Sequence, residues 1–275
     1  MHRTILSLLL ASIWTVCASA PAPAAGPAQP VDLELALAVD VSNSIDLEEA
    51  RMQRDGYVAA FRHPDIVRAI EHGMLGRIAV TYYEWAGDSH TRILVDWTVV
   101  EDAASANRFA DRLQAAPLEM APRTSITAAI EHGLREFPRN AFDGTRRVID
   151  ISGDGPNNGN AEVTAARDRA VASGIVINGL PIVNGRADPS GNLPLPDLAD
   201  YYRDCVIGGP GAFIVVARSF DEFGLAIRRK LISEIAGLTV PAGGARAREA
   251  QLVPAAALSR VCDFGLMSWK DIWVN

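Results

Sequence analysis

The sequence predicts an α/β fold: a doubly wound, mostly parallel sheet with one antiparallel edge strand and helices on both faces. Three observations predict it. Strand-like and helix-like patterns alternate almost throughout the chain, as they do when helices cover both faces of a parallel sheet. Leu33–Asp40 is a nearly continuous apolar run ending in an acid, as a buried parallel strand requires, and Arg147–Ser152 reads as a second buried strand. Two β-rich runs, Arg77–Trp85 and Arg92–Val99, are separated by a short Gly-Asp-Ser loop and read as a hairpin, which puts one antiparallel strand at an edge.

The elements follow in order. After Leu33–Asp40, Asp46-Leu47-Glu48-Glu49 opens a helix with acids in its first turn, where the helix dipole favours them. That helix runs to about Arg62 and stops at Pro64. The hairpin is followed by a helix over Ala103–Ala115, a loop over Pro117–Arg123 and a helix over Ser125–Phe137. Arg147–Ser152 ends in Gly153-Asp154-Gly155; a helix over Glu162–Ala172 follows, with Gly174 just past its end. Ile175–Ile182 is a strand, Asn184–Pro196 a long Gly/Asn/Pro-rich surface loop, Asp197–Cys205 a short helix, Phe213–Ala217 a strand and Phe220–Ile235 a helix. In sheets of this kind ligands bind beyond the carboxyl ends of the strands where strand order reverses, so the loops after Asp40 and Ser152 are the ones to inspect.

Composition sets the limits. The 275 residues are 49% hydrophobic and 21% charged with a net charge of −7, a globular composition without the basic surface that nucleic-acid binding needs. The basic cluster Arg228-Arg229-Lys230 is expected on the solvated face of the last helix. His2 and Arg3, the apolar run Ile5–Val16 and the small residues after it read as a secretory signal over residues 1–25, too short to span a bilayer stably. Residues 26–31 would be a flexible leader, 32–238 the domain and 239–275 a C-terminal tail, with no transmembrane segment after signal removal. The expected location is the periplasm or the medium. Export would leave Cys205 and Cys262, which read as one disulfide in an oxidising compartment or else as two buried thiols. The bridge would staple the tail to the body and be worth about 4 kcal/mol by loop-entropy reasoning.

Three short stretches carry chemistry. Asp40-Val41-Ser42-Asn43-Ser44 places three oxygen-bearing side chains at alternate positions after the first strand. A turn there can aim all three at one centre, the kind of shell a hard cation takes, and no His or Cys offers a softer one. Ser44 could instead cap the following helix. Thr124, in Arg123-Thr124-Ser125-Ile126-Thr127, stands at a helix start, where capping is the competing role. Asp154 stands between two glycines at a strand end, which lets the backbone turn sharply and bring the carboxylate close to a ligand. Glu84, Trp85 and Asp88 read as hairpin-turn residues near this end of the sheet, with shaping of a partner contact as the alternative; Asn157 and Asn158 either border the site or form a turn. His63, His72, His90 and His132 have no metal-ligand spacing and suit surface or helix-end positions.

Together these stretches resemble the von Willebrand factor A (VWA) domain family, whose metal-ion-dependent adhesion site uses an Asp-x-Ser-x-Ser loop, a Thr from a later loop and an Asp after a further strand. Asp40, Ser42 and Ser44 match the loop, Thr124 the Thr and Asp154 the last Asp, with Gly155 following it; Pro122 and Arg123 stand where the family usually has glycines. The element order fits from Asp32 to Ile235. The stretches Ser-Gly-Asp-Gly-Pro-Asn-Asn and Tyr-Tyr-Arg-Asp-Cys-Val-Ile-Gly-Gly-Pro-Gly-Ala-Phe are further similar to a bacterial family of exported, functionally uncharacterised proteins with this fold. The resemblance implies one divalent cation, Mg²⁺ first with Mn²⁺ or Ca²⁺ as alternatives. In it the hydroxyls bind directly and the aspartates often act through water. A shell with few direct carboxylates leaves positive charge on the ion, which then takes an Asp or Glu carboxylate from a protein partner. No enzymatic activity is expected. A phosphatase of the haloacid dehalogenase type would need an acid where Ser42 stands; a nucleotide binder would need a glycine-rich phosphate loop, and a serine hydrolase a Gly-x-Ser-x-Gly turn. A metal-free scaffold of the same fold is the remaining alternative.

Overall fold

The computed structural model describes residues 27–183, 185, 195, 197–237 and 262. In chain order the elements are β1 (Gln29–Val31), β2 (Leu33–Asp40), α1 (Leu47–Phe61), α2 (Pro64–Glu71), β3 (Ile78–Trp85), β4 (Thr91–Val100), α3 (Ala103–Ala115), α4 (Ile126–Glu136), β5 (Phe142–Gly144), β6 (Arg147–Gly153), α5 (Val163–Ala172), β7 (Ile175–Pro181), α6 (Leu198–Tyr201) and α7 (Phe220–Ala236). A five-stranded sheet has the order β4-β3-β2-β6-β7. Only β4, at one edge, runs antiparallel, against β3; β2, β3, β6 and β7 are parallel. The fold class is the one the sequence predicts.

Alternation along each strand sorts the core into two layers. Leu33, Leu35, Leu37 and Val39 of β2 pack with buried residues of α1, α2, α3 and α7. Ala36 and Ala38 face the other way, with Ile149 and Ile151 of β6, under α4, α5 and α6. Each fully buried Leu here is worth roughly 1.5–3 kcal/mol of transfer free energy, and this sandwiching fixes the heights at which the strands end. Chain order reverses between β2 and β6, so the loops after Asp40 and Gly153 open side by side, with Val39 opposite Ser152 in the register.

Four local expectations change. Pro64 does stop α1, but it also starts α2, because proline at a first helical position supplies the right φ without a needed N–H and His63 Nδ1 caps the Asp65 amide at 3.1 Å. Phe213–Ala217 makes only isolated bridges to the β7 edge, Gly179 with Ile214 and Ile182 with Ala217. The chain reverses just before it through Gly209 (φ 94°) and Gly211 (φ 74°), and a continuous ladder never lines up. Gln29–Val31, inside the stretch expected as leader, pairs in parallel with β5. Lys230 is not on a solvated face: it is 0% exposed, whereas Arg229 beside it is exposed.

The helix expected over Asp197–Cys205 is α6 followed by a wider π-turn over Tyr202–Val206. Cys205 in that turn is joined to Cys262 by a disulfide spanning 57 residues, with Cα atoms 5.4 Å apart. The signal segment, most of the loop over residues 184–196 and all of the tail except Cys262 lie outside the described residues.

Candidate metal centre

The first loop is folded by its own carboxylate. Asp40 ends β2, and its Oδ1 accepts the Ser42 amide at 2.7 Å, which curls the chain back over the strand end. The Ser42 and Ser44 hydroxyls then lie 2.7 Å apart, and Ser44 Oγ donates to Asp154 Oδ1 at 2.6 Å. Ser44 is therefore part of this cluster and does not cap α1. Asp46 does that, accepting the Glu49 amide at 2.8 Å while Glu49 Oε2 accepts the Asp46 amide at 2.8 Å, a reciprocal capping box.

Thr124 is held beside the Asp154 loop from a separate loop. Its amide donates to Asn158 Oδ1 and its carbonyl accepts the Asn158 amide, each at 2.8 Å. This ties it to the Asp154 loop, and a Cβ on Gly155 would stand 3.9 Å from Thr124 Oγ1. The same loop is laced to the first one, Asn43 N donating to Ala121 O at 3.0 Å and Ala121 N to Val41 O at 3.2 Å. Arg123 sits at φ 72°, alone in that region among the described residues other than glycine. It stands where the resemblance would put a glycine, and the strain of about 1–3 kcal/mol falls on the residue that aims Thr124.

The electrostatics centre on Asp40, which is 0% exposed. Burial, and then the neighbouring Asp154 carboxylate, push its pKa well above the usual carboxylate range; the Ser42 amide and hydroxyl and the Asp154 amide oppose that. Its Oδ2 is buried without a hydrogen-bond partner. A bound cation would satisfy that oxygen and offset the mutual repulsion of the two acids. The donors are hydroxyl and carboxylate oxygens only, suited to Mg²⁺, Mn²⁺ or Ca²⁺. Among the described residues no group of three or more His, Cys, Asp and Glu side chains is set to hold a metal, so a site here rests on its hydroxyls. By these observations the residues present fit a hard divalent cation.

Residues read from the sequence as hairpin or turn residues, together with Arg54, Arg92 and Asn160, which the sequence did not single out, hold the cluster in place. Glu84, 1% exposed, pairs with Arg54 and, at 3.2 Å, with Arg92. Arg54 donates to the Ala116 carbonyl at 2.5 Å and Arg92 to the Pro117 carbonyl at 2.6 Å, so a buried acid clasps the segment leading to Thr124. An acid at the end of an otherwise apolar strand was the available signal. Asp88 accepts from Asn160 Nδ2 at 2.8 Å, tying the hairpin loop to the stretch after Asp154. Asn157 does more than turn the chain: its Oδ1 accepts the Thr127 amide at 3.2 Å and its own amide donates to Tyr201 Oη at 3.0 Å. His90 closes the hairpin loop, its carbonyl accepting the Ala86 amide at 3.0 Å; the other described histidines sit elsewhere. His63 and His72 cap α2, and His132 stacks on Tyr83 with ring centres 4.6 Å apart.

The sheet order and these three loops define a VWA-like domain. A family model described as "Protein of unknown function (DUF1194)" matches residues 30–239, and the chain belongs to that family. Among solved structures, proximal thread matrix protein 1 from the mussel byssus superposes with a TM-score of 0.52 at 12% identity, covering 77% of this chain and 50% of that one. Another structure of that mussel protein is described as having a zinc-occupied MIDAS motif. The pilus adhesin SpaC from Lactobacillus rhamnosus GG, in an open conformation, gives 0.54 at 13% identity, covering 76% of this chain and 31% of that one. A von Willebrand factor type A structure from Catenulispora acidiphila gives 0.51 at 11% identity, over 74% and 43%. The chain thus spans about half the length of the mussel protein and less of the other two. No curated protein matches it in sequence. Among the described residues no helix is long and apolar enough to cross a membrane.

Proposed function

We propose that this domain is an exported, non-enzymatic binding module that holds one divalent cation through Asp40, Ser42, Ser44, Thr124 and Asp154 and uses it to take an acidic side chain from a protein partner. The observation that carries this reading is the buried, unpartnered Oδ2 of Asp40, beside a continuous Ser42–Ser44–Asp154 chain of oxygens at the carboxyl end of the sheet. Hydroxyl donors contribute no charge, so an ion on this shell keeps positive charge for an incoming carboxylate. The cation supplies the attraction; Asp40 and Asp154 balance part of its charge, and the hydroxyls of Ser42, Ser44 and Thr124 orient it. Mg²⁺ is the proposed ion. The zinc-occupied MIDAS motif described for the mussel protein supports a cation at such a site without naming the one used here. Export is supported by the signal-like first residues and by the disulfide, which suits an oxidising compartment.

The test is capture. Tagged mature protein, loaded with Mg²⁺, is passed over a periplasmic and secreted extract, with chelator and Asp40→Ala as parallel arms. A partner retained only by wild type with the ion is expected, and pre-treatment of the extract with a carboxyl-blocking reagent should abolish retention. A partner retained equally by all three arms would refute the coupling of ion and partner. Metal-dependent hydrolysis of a generic phosphate ester that vanishes in Asp40→Ala would refute the non-enzymatic assignment.

A further inference from the structure

The Tyr-Tyr-Arg-Asp-Cys stretch has no role in the ligand set, yet it lies directly behind it. Tyr202 is 0% exposed, and its hydroxyl is buried with no hydrogen-bond partner. Two glycines make room for it. A Cβ on Gly179 would stand 2.7 Å from Tyr202 Cδ1, inside the ring's contact distance. A Cβ on Gly153 would stand 2.9 Å from Tyr202 Oη and also 2.9 Å from Asp40 Oδ2. The two unpartnered oxygens therefore flank the same point, no further apart than one shared water can span. One is a phenol that can donate; the other is a carboxylate oxygen that can only accept. Buried polar atoms are almost always paired, and each of these is the partner the other lacks.

The backbone that carries Tyr202 is firmly set. Ile207 N closes the π-turn on the Tyr202 carbonyl at 3.0 Å, and Arg167 Nη1 donates to the Asp204 carbonyl at 2.9 Å. Tyr201 Oη, at the end of α6 just before the turn, accepts the Asn157 amide at 3.0 Å and so touches the loop that carries Asp154. The Cys205–Cys262 bridge anchors the end of the π-turn. A π-turn is an uncommon backbone form found often at functional positions; here it opens with Tyr202, whose hydroxyl lies behind the candidate loops, directly after Tyr201 at the end of α6.

We propose that Tyr202 is a positioning residue of the metal centre: its hydroxyl donates to Asp40 Oδ2 through one bridging water and fixes the carboxylate in the orientation that receives the cation. This rests on the proposed function for its consequence, but the contact itself belongs to the metal-free chain. Outer partners of metal ligands are worth roughly ten-fold or more in affinity. Tyr202→Phe removes only the hydroxyl and keeps the ring in its slot.

The experiment has two readouts. In chelated protein, melting of wild type, Tyr202→Phe, Asp40→Ala and the double variant forms a cycle; the double variant should lose or gain less than the two single changes combined. Losses that simply add would overturn the contact. By calorimetric titration with Mn²⁺ alone, Tyr202→Phe should bind roughly ten-fold more weakly than wild type. A packing role alone would lower the melting temperature and leave the affinity unchanged, and that result would overturn the positioning role. Should wild type bind no Mn²⁺, Mg²⁺ or Ca²⁺, the proposed function fails and the positioning role with it, while the metal-free cycle still decides the contact.

Discussion

Two buried acidic clusters lie about the same sheet and are built in opposite ways. Behind β6, on the α7 side, Lys230 Nζ lies 2.5 Å from Asp150 Oδ1 and 2.6 Å from Glu234 Oε1, with all three residues at most 2% exposed. Asn178 Nδ2 adds a hydrogen bond to Glu234 at 2.9 Å. At the strand ends, Asp40 meets hydroxyls, amides and a second carboxylate instead, and one of its oxygens has no partner. The first cluster carries its cation in the chain: Glu234 Oε2 is also buried without a hydrogen-bond partner, but the Lys230 ammonium stands between the two acids. The second has donors without an in-chain ammonium on Asp40, the arrangement expected of a place that draws its cation from solution. Burial of acids alone does not mark a binding site; what matters is which charge answers them.

That contrast can be broken from the structural side first. Lys230→Ala leaves Asp150 and Glu234 buried without their cation and should cost about 3–5 kcal/mol, because an uncompensated buried charge is far worse than no pair at all. Urea titration would measure it. Lys230→Ala as stable as wild type would show that the triad is not what holds α7 on the sheet. Reduction of the disulfide should cost less, about 2–4 kcal/mol at most for a bridge of this span, and should loosen the tail while the sheet stays intact, since β2 to β7 all precede Cys205. Non-reducing peptide mass analysis checks the pairing, and hydrogen exchange before and after reduction checks which segments respond.

The pH dependence sharpens the comparison further. Burial, and then the Asp150 charge, raise Glu234 from the ordinary 4.5 to about 7, and burial raises Asp150 as well, with Lys230 opposing. Across that window the folded chain keeps a proton that the unfolded chain has released. The stabilising contribution is therefore complete below about 4.5 and is lost as pH rises through about 7. Melting temperatures of chelated protein should fall between these limits, and Glu234→Gln should flatten that fall. An unchanged slope in Glu234→Gln would assign the dependence elsewhere. The smallest effect belongs to the strained loop. Arg123→Gly should gain up to about 1 kcal/mol by relieving the left-handed conformation; a loss instead would mean that the Arg123 side chain contributes more than its backbone costs.

Much of this was legible from the chain, for physical reasons. Buried parallel strands must be apolar throughout, so Leu33–Asp40 was readable to the residue. The candidate loops could be picked out because three oxygen-bearing stretches fall at one end of one sheet, although each alone also suits a helix cap or a turn. What stayed hidden depends on which face a residue takes. Lys230 sits in a basic run beside exposed Arg229, and helical rotation alone turns it inward. Asp150, in the middle of an apolar strand, was the sign that some cation must be buried opposite. Tyr202 was hidden because its position depends on a π-turn and on Gly153 and Gly179, two glycines distant in sequence that meet only in the fold.

The central claim is that the strand-end cluster takes a cation from solution, and calorimetric titration of Mg²⁺ into chelated, mature protein tests it most directly. One ion per chain is expected for wild type, no detectable binding for Asp40→Ala, and weakened binding for Ser42→Ala, Ser44→Ala, Thr124→Ala and Asp154→Ala, with all five variants folded by circular dichroism. Mg²⁺ binding to Asp40→Ala with the affinity of wild type, or no heat from wild type with Mg²⁺, Mn²⁺ or Ca²⁺, would contradict the account.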